Sequence, residues 1–326
     1  MGNKNDIMLH LISMKKKTIK YLIIFTFLII ILVTFSVIFY LRAPVLIVAE
    51  EVFIEIYGAK RLRRESFRNS LLLFRDIKTV VVANDISDDL VPFSVDSVSK
   101  QPYCVLFPLR FTNSAMIYHG ANPGIMVIIL DGRNNNEFKI NSNPETSNLF
   151  KYATDIEADF FRAGVISAAF QLPPPENEES PVNENQKRHI IVFLESHLNQ
   201  LYGQKIKESF KQGINQHENP PEPLFYTSFS EFTGNFNLSC VILAGSGSEY
   251  LDNKSGVPVI MFSWLDPYLT TSDTVLVIDD SPLAQVYQAV KLAESGTENG
   301  TIKSEFVISN RKKMDKNLLS IIRESR

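Results

Sequence analysis

Apolar and polar positions fall into three regimes along the chain. From 21 to 41 the sequence reads YLIIFTFLIIILVTFSVIFYL, with no charged side chain. At about 1.5 Å rise per residue a helix of this length covers a hydrocarbon core of about 30 Å, so the run predicts a transmembrane helix. A cleaved secretory signal has an apolar core of only about 7–15 residues ending in small side chains. Here the run ends in Phe39, Tyr40 and Leu41, which favours an uncleaved anchor. Beyond it, short β-branched runs alternate with amphipathic stretches. Strands are expected at 45–49, 80–83, 105–109 and 125–130, helices at 52–74 and 88–100, and a helical turn at 114–119. Residues 172–186, LPPPENEESPVNENQ, carry almost nothing apolar and predict an exposed loop. A second series follows, with strands at 189–194, 224–226, 240–244, 257–262, 274–278 and 305–308, and helices at 202–216 and 282–295. Strand runs that are apolar without alternation are buried on both faces, as in parallel sheets sandwiched by helices. The expected class is therefore α/β, with two doubly wound parallel-sheet lobes behind one N-terminal transmembrane helix.

Composition narrows the function classes. A chain that is 45% apolar is too hydrophobic for disorder, and two Cys make no disulfide scaffold. Cys104 and Cys240 lie inside apolar strands and are expected as buried free thiols. The net charge of −3 is unevenly spread. Lys15, Lys16, Lys17 and Lys20 precede the apolar run, whereas only Arg42 follows closely. The positive-inside rule then puts residues 1–20 in the cytoplasm as a tail, residues 21–41 in the inner membrane as a single-pass signal anchor, and the rest in the periplasm or outside the cell. Lys60, Arg61, Arg63, Arg64 and Arg68 weigh the other way, from some 20 residues downstream within an expected helix. Met14, followed by three Lys, is an alternative start. Without its first 20 residues the chain keeps 28 of 33 basic and 35 of 36 acidic side chains, a net charge of −7 that disfavours nucleic acid as a partner.

Four segments carry a resemblance. VIILDGR at 127–133 is similar to the strand ending in Asp-Arg that closes the first half of sugar receptors; DIEADFFRAGVISAAF at 155–170 is similar to the crossover into their second lobe. The run from 190 to 214, with Phe210 and Gly213 near its end, resembles their next strand, turn and helix. TVLVIDDSPLAQVYQAVKLAESG at 274–296 looks like the return to the first lobe. In order and spacing these resemble the type I periplasmic binding protein fold, shared by sugar and nucleoside receptors and by the effector domains of lactose-repressor-type regulators. The resemblance implies interleaved lobes: 43–156 plus 282–300, and 157–279 plus 303–310, joined by a three-strand hinge, with 311–326 left as a C-terminal tail. It also implies a solute-binding or sensing protein that takes a small polar ligand, of the sugar or nucleoside class, and works with an ABC transporter permease or a membrane sensor. No catalysis and no cofactor are expected. A scaffold of the cell envelope that keeps the fold without a ligand stays open as the alternative, and a flavodoxin-like or hydrolase-type enzyme as a third reading.

Open parallel sheets bind ligands beyond the carboxyl ends of their strands. That rule picks Asn84, Arg110 and Asp131 with Arg133 in the first lobe, together with the carboxylates Glu50 and Glu51; in the second it picks Glu195, Trp264 with Asp266, and Asp280 beside Asp279. The family places a charged pair at Asp131 and Arg133 to bond polar ligand groups, and Trp264 could stack on a ring. Where several relatives carry Arg in the helix after the first second-lobe strand, this chain offers Gln204 or Lys205. AGSGSEY at 244–250 has no P-loop Lys and reads more simply as a helix cap. The five His show no metal-binding spacing.

Overall fold

The computed structural model describes residues 21, 25–31, 33–34, 37, 39, 41–131, 148–170, 188–233, 236–253, 255–263 and 270–325. The loop expected at 172–186 lies outside them. The described residues between 21 and 41 are helical and largely exposed, Tyr21, Phe25, Leu28 and Leu41 among them. Among the described residues no helix is long and apolar enough to cross a membrane.

The first lobe begins with β1 (Val45–Glu50), α1 (Glu51–Tyr57), α2 (Ala59–Leu73) and β2 (Ile77–Val82). It continues through α3 (Val91–Val98), β3 (Cys104–Pro108), α4 (Thr112–Ala121), β4 (Met126–Asp131) and β5 (Leu149–Thr154). The second lobe takes over with α5 (Ile156–Ala168), β6 (His189–Leu194), α6 (Ser196–Ile214), β7 (Glu222–Tyr226), β8 (Leu238–Ala244), β9 (Val259–Phe262) and β10 (Thr274–Asp279). The chain returns to the first lobe for α7 (Pro282–Glu294) and β11 (Asn299–Ile302), then ends in the second with β12 (Glu305–Ile308) and α8 (Lys316–Glu324). The two six-stranded sheets run β11-β5-β4-β3-β1-β2 and β12-β10-β9-β8-β6-β7. Among the described strands every pairing is parallel except β10 with β12, beside one isolated antiparallel bridge between Leu194 and Gly245.

Alternate residues of the continuous apolar strands feed opposite faces. Val45, Ile47, Cys104, Leu106 and Ile128 pack under α7, against Leu283, Val286 and Val290, while Leu46, Val48, Val105 and Ile129 meet Val91 and Val95 of α3 and Ala115 and Tyr118 of α4. In the second lobe α5, α6 and α8 cover one face. The other carries no α-helix among the described residues. Phe193 there is ringed by Tyr226 of β7 and by Phe229, Phe232 and Tyr250 from short turns, and these aromatics cover the face where a helical layer was expected. The second lobe is thus wound on one face and roofed by aromatics on the other, a departure from the symmetric pattern expected. α5 and α6 touch backbone to backbone: a Cβ on Gly164 would lie 2.3 Å from the Phe210 carbonyl oxygen, and one on Gly213 would lie 2.1 Å from that of Phe161.

Three further expectations change. The helix expected over 52–74 breaks at Gly58, where φ is 83°. The first-lobe segment after the hinge runs to Ile302, because β11 pairs with β5. The tail expected at 311–326 contains α8, capped by Asp315, whose carboxylate accepts from the Leu318 amide at 2.7 Å; Leu318 and Ile322, one turn apart, are buried in the second-lobe core. Cys104 and Cys240 are buried free thiols, as expected.

Candidate functional site

The crossings determine where the two lobes meet. β5 ends at Thr154 and α5 starts at Ile156; β10 ends at Asp279 and α7 starts at Pro282. Each time the chain leaves one sheet at its carboxyl edge and enters the other lobe at once, so the two carboxyl edges adjoin. Gln285 on α7 ties these two crossings together, its Nε2 donating to Thr154 Oγ1 at 2.7 Å and to the Asp280 carbonyl at 2.8 Å. The third crossing, from Ile302 to Glu305, is held by a buried set: Arg162 binds Asp159 and donates to the Ser304 carbonyl at 3.0 Å, and the Ser304 hydroxyl binds Asp159. Burial raises the Asp159 carboxyl above the usual range, against the pull of Arg162.

At the carboxyl edge of the first sheet, Glu50, Asn84 and Arg110 converge from the ends of β1, β2 and β3. Arg110 pairs with Glu50 and also donates to the Asn84 carbonyl. Asn84 Oδ1 accepts from the Val52 amide at 3.0 Å, fixing the start of α1. The Arg110 side chain keeps 49% of its surface open, so its charge is presented as well as paired. Asp131 closes β4, the next strand of the sheet. Its side chain lies outside the described residues, as do Arg133, Trp264 and Asp266.

The second lobe places Glu195 between β6 and α6, its amide donating to the Ala244 carbonyl at 2.9 Å. Asp280 follows β10 and accepts from Ser263, whose hydroxyl oxygen takes the Asp280 amide at 3.1 Å. Gly245 and Gly247, with φ of 80° and 78°, form a turn whose Ser246 hydroxyl donates to the Thr227 carbonyl at 2.7 Å; Gly247 lies against the Phe193 ring, where no Cβ fits. Gln204 does not join the strand ends. It sits in the middle of α6, bonded to Glu208 one turn on at 2.9 Å, because the buried positions Gly203, Ile206 and Phe210 turn position 204 outward.

A set of ion pairs without a sequence signal lies between the lobes. Arg61 of α2 pairs with Asp279, and Arg68 of α2 pairs with Glu305 of β12 and with Glu65. Asp279 is only 1% exposed and also accepts from the Ser281 amide at 3.1 Å. The Arg61 guanidinium lies 4.5 Å over the Tyr57 ring, and the Tyr57 hydroxyl accepts from Ser281 at 3.4 Å. Burial, then the Asp279 charge, pushes the Tyr57 phenol far above its ordinary range. Asp279 is thus committed to an interlobe ion pair. Among the described residues no three His, Cys, Asp or Glu side chains gather to hold a metal ion.

No family model and no curated protein matches the sequence. Among solved structures the chain is similar to a transcriptional activator of the comK gene from Bacillus halodurans, at 13% identity and TM-score 0.54, covering 86% of this chain and 95% of that one. It is similar as well to an ABC transporter system solute-binding protein from Conexibacter woesei, at 8% identity and TM-score 0.53, covering 87% and 95%. At such identities the likeness speaks for the fold, and with the interleaved lobes and three crossings it makes this a type I periplasmic-binding-protein-like fold.

Proposed function

We propose that this chain is a membrane-anchored extracytoplasmic binding protein that holds a small polar ligand, of the sugar or nucleoside class, between its lobes, and that the occupied state is read by a transporter permease or a membrane sensor. The observation that carries the reading is the adjoining of two parallel-sheet carboxyl edges at the crossings, with Glu50, Asn84 and Arg110 gathered on one and Asp280 on the other. A guanidinium braced by a carboxylate and half open to water suits a ligand rich in hydroxyl groups, which it can meet with fixed donors. The uncharged run at 21–41, with its described side chains largely exposed, supports the anchor. Both thiols are buried and pushed up by that burial, which supports a binding role over thiol chemistry.

The test is thermal unfolding of the detergent-solubilised full chain against panels of sugars, nucleosides and amino acids. Saturable stabilisation by one sugar or nucleoside, lost in Arg110→Ala, is expected. No stabilisation by any class would favour the envelope scaffold.

A further inference from the structure

Behind the crossings lies a groove of about 640 Å³, separate from the strand-end cluster. Its walls come from four elements: α2 and α7 of the first lobe, and α5 and β12 of the second, with Lys303 and Ser304 of the third crossing between them. Four cationic side chains line it, Arg64, Arg68, Arg162 and Lys303, against the two carboxylates Glu65 and Glu305. Counting Asp159 behind Arg162, one positive charge remains, in a chain whose part beyond residue 20 carries −7.

The cations differ in how far they are committed. Arg68 is shared between Glu65 and Glu305. Arg64 pairs with Glu65 at 3.1 Å but keeps 61% of its side chain exposed. Lys303 is exposed and has no described side-chain partner, its backbone carbonyl alone accepting from Gln288. Arg162 is 94% buried against Asp159 and the Phe306 ring, and its Nε has no described hydrogen-bond partner. A buried guanidinium N–H without an acceptor is costly; Arg162 lines the groove, its Nη1 held only at 3.4 Å by the Ser325 carbonyl, so a small shift toward the groove would bring that N–H to an oxygen acceptor there.

From this geometry we infer that the hinge groove is a second binding site, for a small oxyanion carrying phosphate or carboxylate groups, held by Lys303, Arg64 and Arg162. Such a ligand touches both lobes and the crossing strand, and it competes with Glu305 for Arg68. Its occupancy is therefore coupled to the arrangement of the lobes, in the sense that a ligand shifts an equilibrium by its unequal affinity for two states.

The experiment is titration of the detergent-solubilised full chain with inorganic phosphate and, separately, citrate, by calorimetry and thermal shift, each against sodium chloride at matched ionic strength. The expected result is saturable binding of at least one of the two anions. Lys303→Ala, an exposed truncation that leaves the fold intact, should weaken it by about tenfold or more, the scale of a charge-assisted hydrogen bond; Arg64→Ala should weaken it as well. Arg110→Ala should leave it unchanged, which separates this site from the strand-end cleft whether or not that cleft takes a sugar. Binding that only follows ionic strength, or survives Lys303→Ala, or disappears with Arg110→Ala, overturns the inference.

Discussion

Arg61→Met isolates the interlobe pair and gives a measurable ledger. The substitution keeps an unbranched, flexible apolar stem and removes the charged guanidinium, leaving Asp279, 1% exposed, with the Ser281 amide as its described donor. Removing one partner of a buried pair costs about 3–5 kcal/mol, because the remaining charge stays desolvated. Arg61 keeps 16% of its side chain exposed, so water reaches part of the pair and the low end, about 3 kcal/mol, applies. For a body of this size about 1 kcal/mol moves Tm by roughly 2–4 °C, so the shift should be roughly 6–12 °C downward. Asp279→Asn should cost less, since the freed Arg61 head can turn toward water. The double variant Arg61→Met with Asp279→Asn leaves no buried charge and should recover most of the loss. The assay is thermal and urea unfolding of all four proteins as a double-mutant cycle. An Arg61→Met protein within about 2 °C of the parent, or a double variant as unstable as Arg61→Met alone, would refute the reasoning.

Other expectations follow from packing and titration. Gly213→Ala drives a methyl group into the Phe161 carbonyl, and neither helix backbone can yield locally; a loss of about 1–3 kcal/mol is expected in urea unfolding, and a second substitution at Gly164 in the same contact should add less than its single cost. Ile322→Ala should cost about 2–5 kcal/mol because α8 belongs to the second-lobe core; a change within about 0.5 kcal/mol would mean the C-terminus is a tail after all. Tyr118 is pushed up to about 12 by burial and the Asp96 charge, and Tyr57, Tyr152 and both thiols are raised beyond that. Groups raised on folding hold stability below their unfolded pKa values and lose it as pH rises through the folded ones. Stability should therefore fall from about pH 9 upward, and ultraviolet titration should show these phenols ionising only as the chain unfolds; ionisation of all eleven Tyr near pH 10 without unfolding would contradict the burial described.

What the sequence disclosed follows from how each element is buried. β1, β3, β6, β8 and β10 are enclosed on both faces, so their apolar runs stand out and the alternation of lobes could be read with them. β11 is a sheet edge, NGTI, with Ile302 as its one buried side chain, and no periodicity survives in four residues. β5 carries Lys151 inside LFKYAT and is buried nonetheless, a tertiary override of composition. α8 had a legible cap and an i, i+4 apolar pair, hidden by the charged run before it. Gln204 is reached only through the family resemblance, while the period of buried positions in its own helix faces it outward. Of the strand-end candidates, Asn84 and Arg110 come together with Glu50 because three neighbouring parallel strands end beside one another. Arg61 with Asp279 and Arg68 with Glu305 lie 218 and 237 positions apart, and no local rule links residues so distant.

Those distant pairs bear on how the lobes can move. Asp279 ends the strand that enters the second crossing, and Glu305 begins the strand that leaves the third. Gln285 bonds residues of the first and second crossings together. In a hinge motion, points near the axis move least, so ion pairs at the crossings can persist while the strand-end groups on either side change their separation. Had Arg61 and Arg68 joined the lobes far from the crossings, opening would have to break them and strand buried charges, at several kcal/mol each. Placed where they are, they would lie near the axis of such a rotation and oppose it little. On the proposed binding role, a ligand at Glu50, Asn84 and Arg110 would act on the lever arm of that rotation, and the proposed oxyanion in the groove at Lys303 would act near the axis, by drawing Arg68 away from Glu305. Two sites of that kind would not need to touch to influence one another, since each would bias the same rotation.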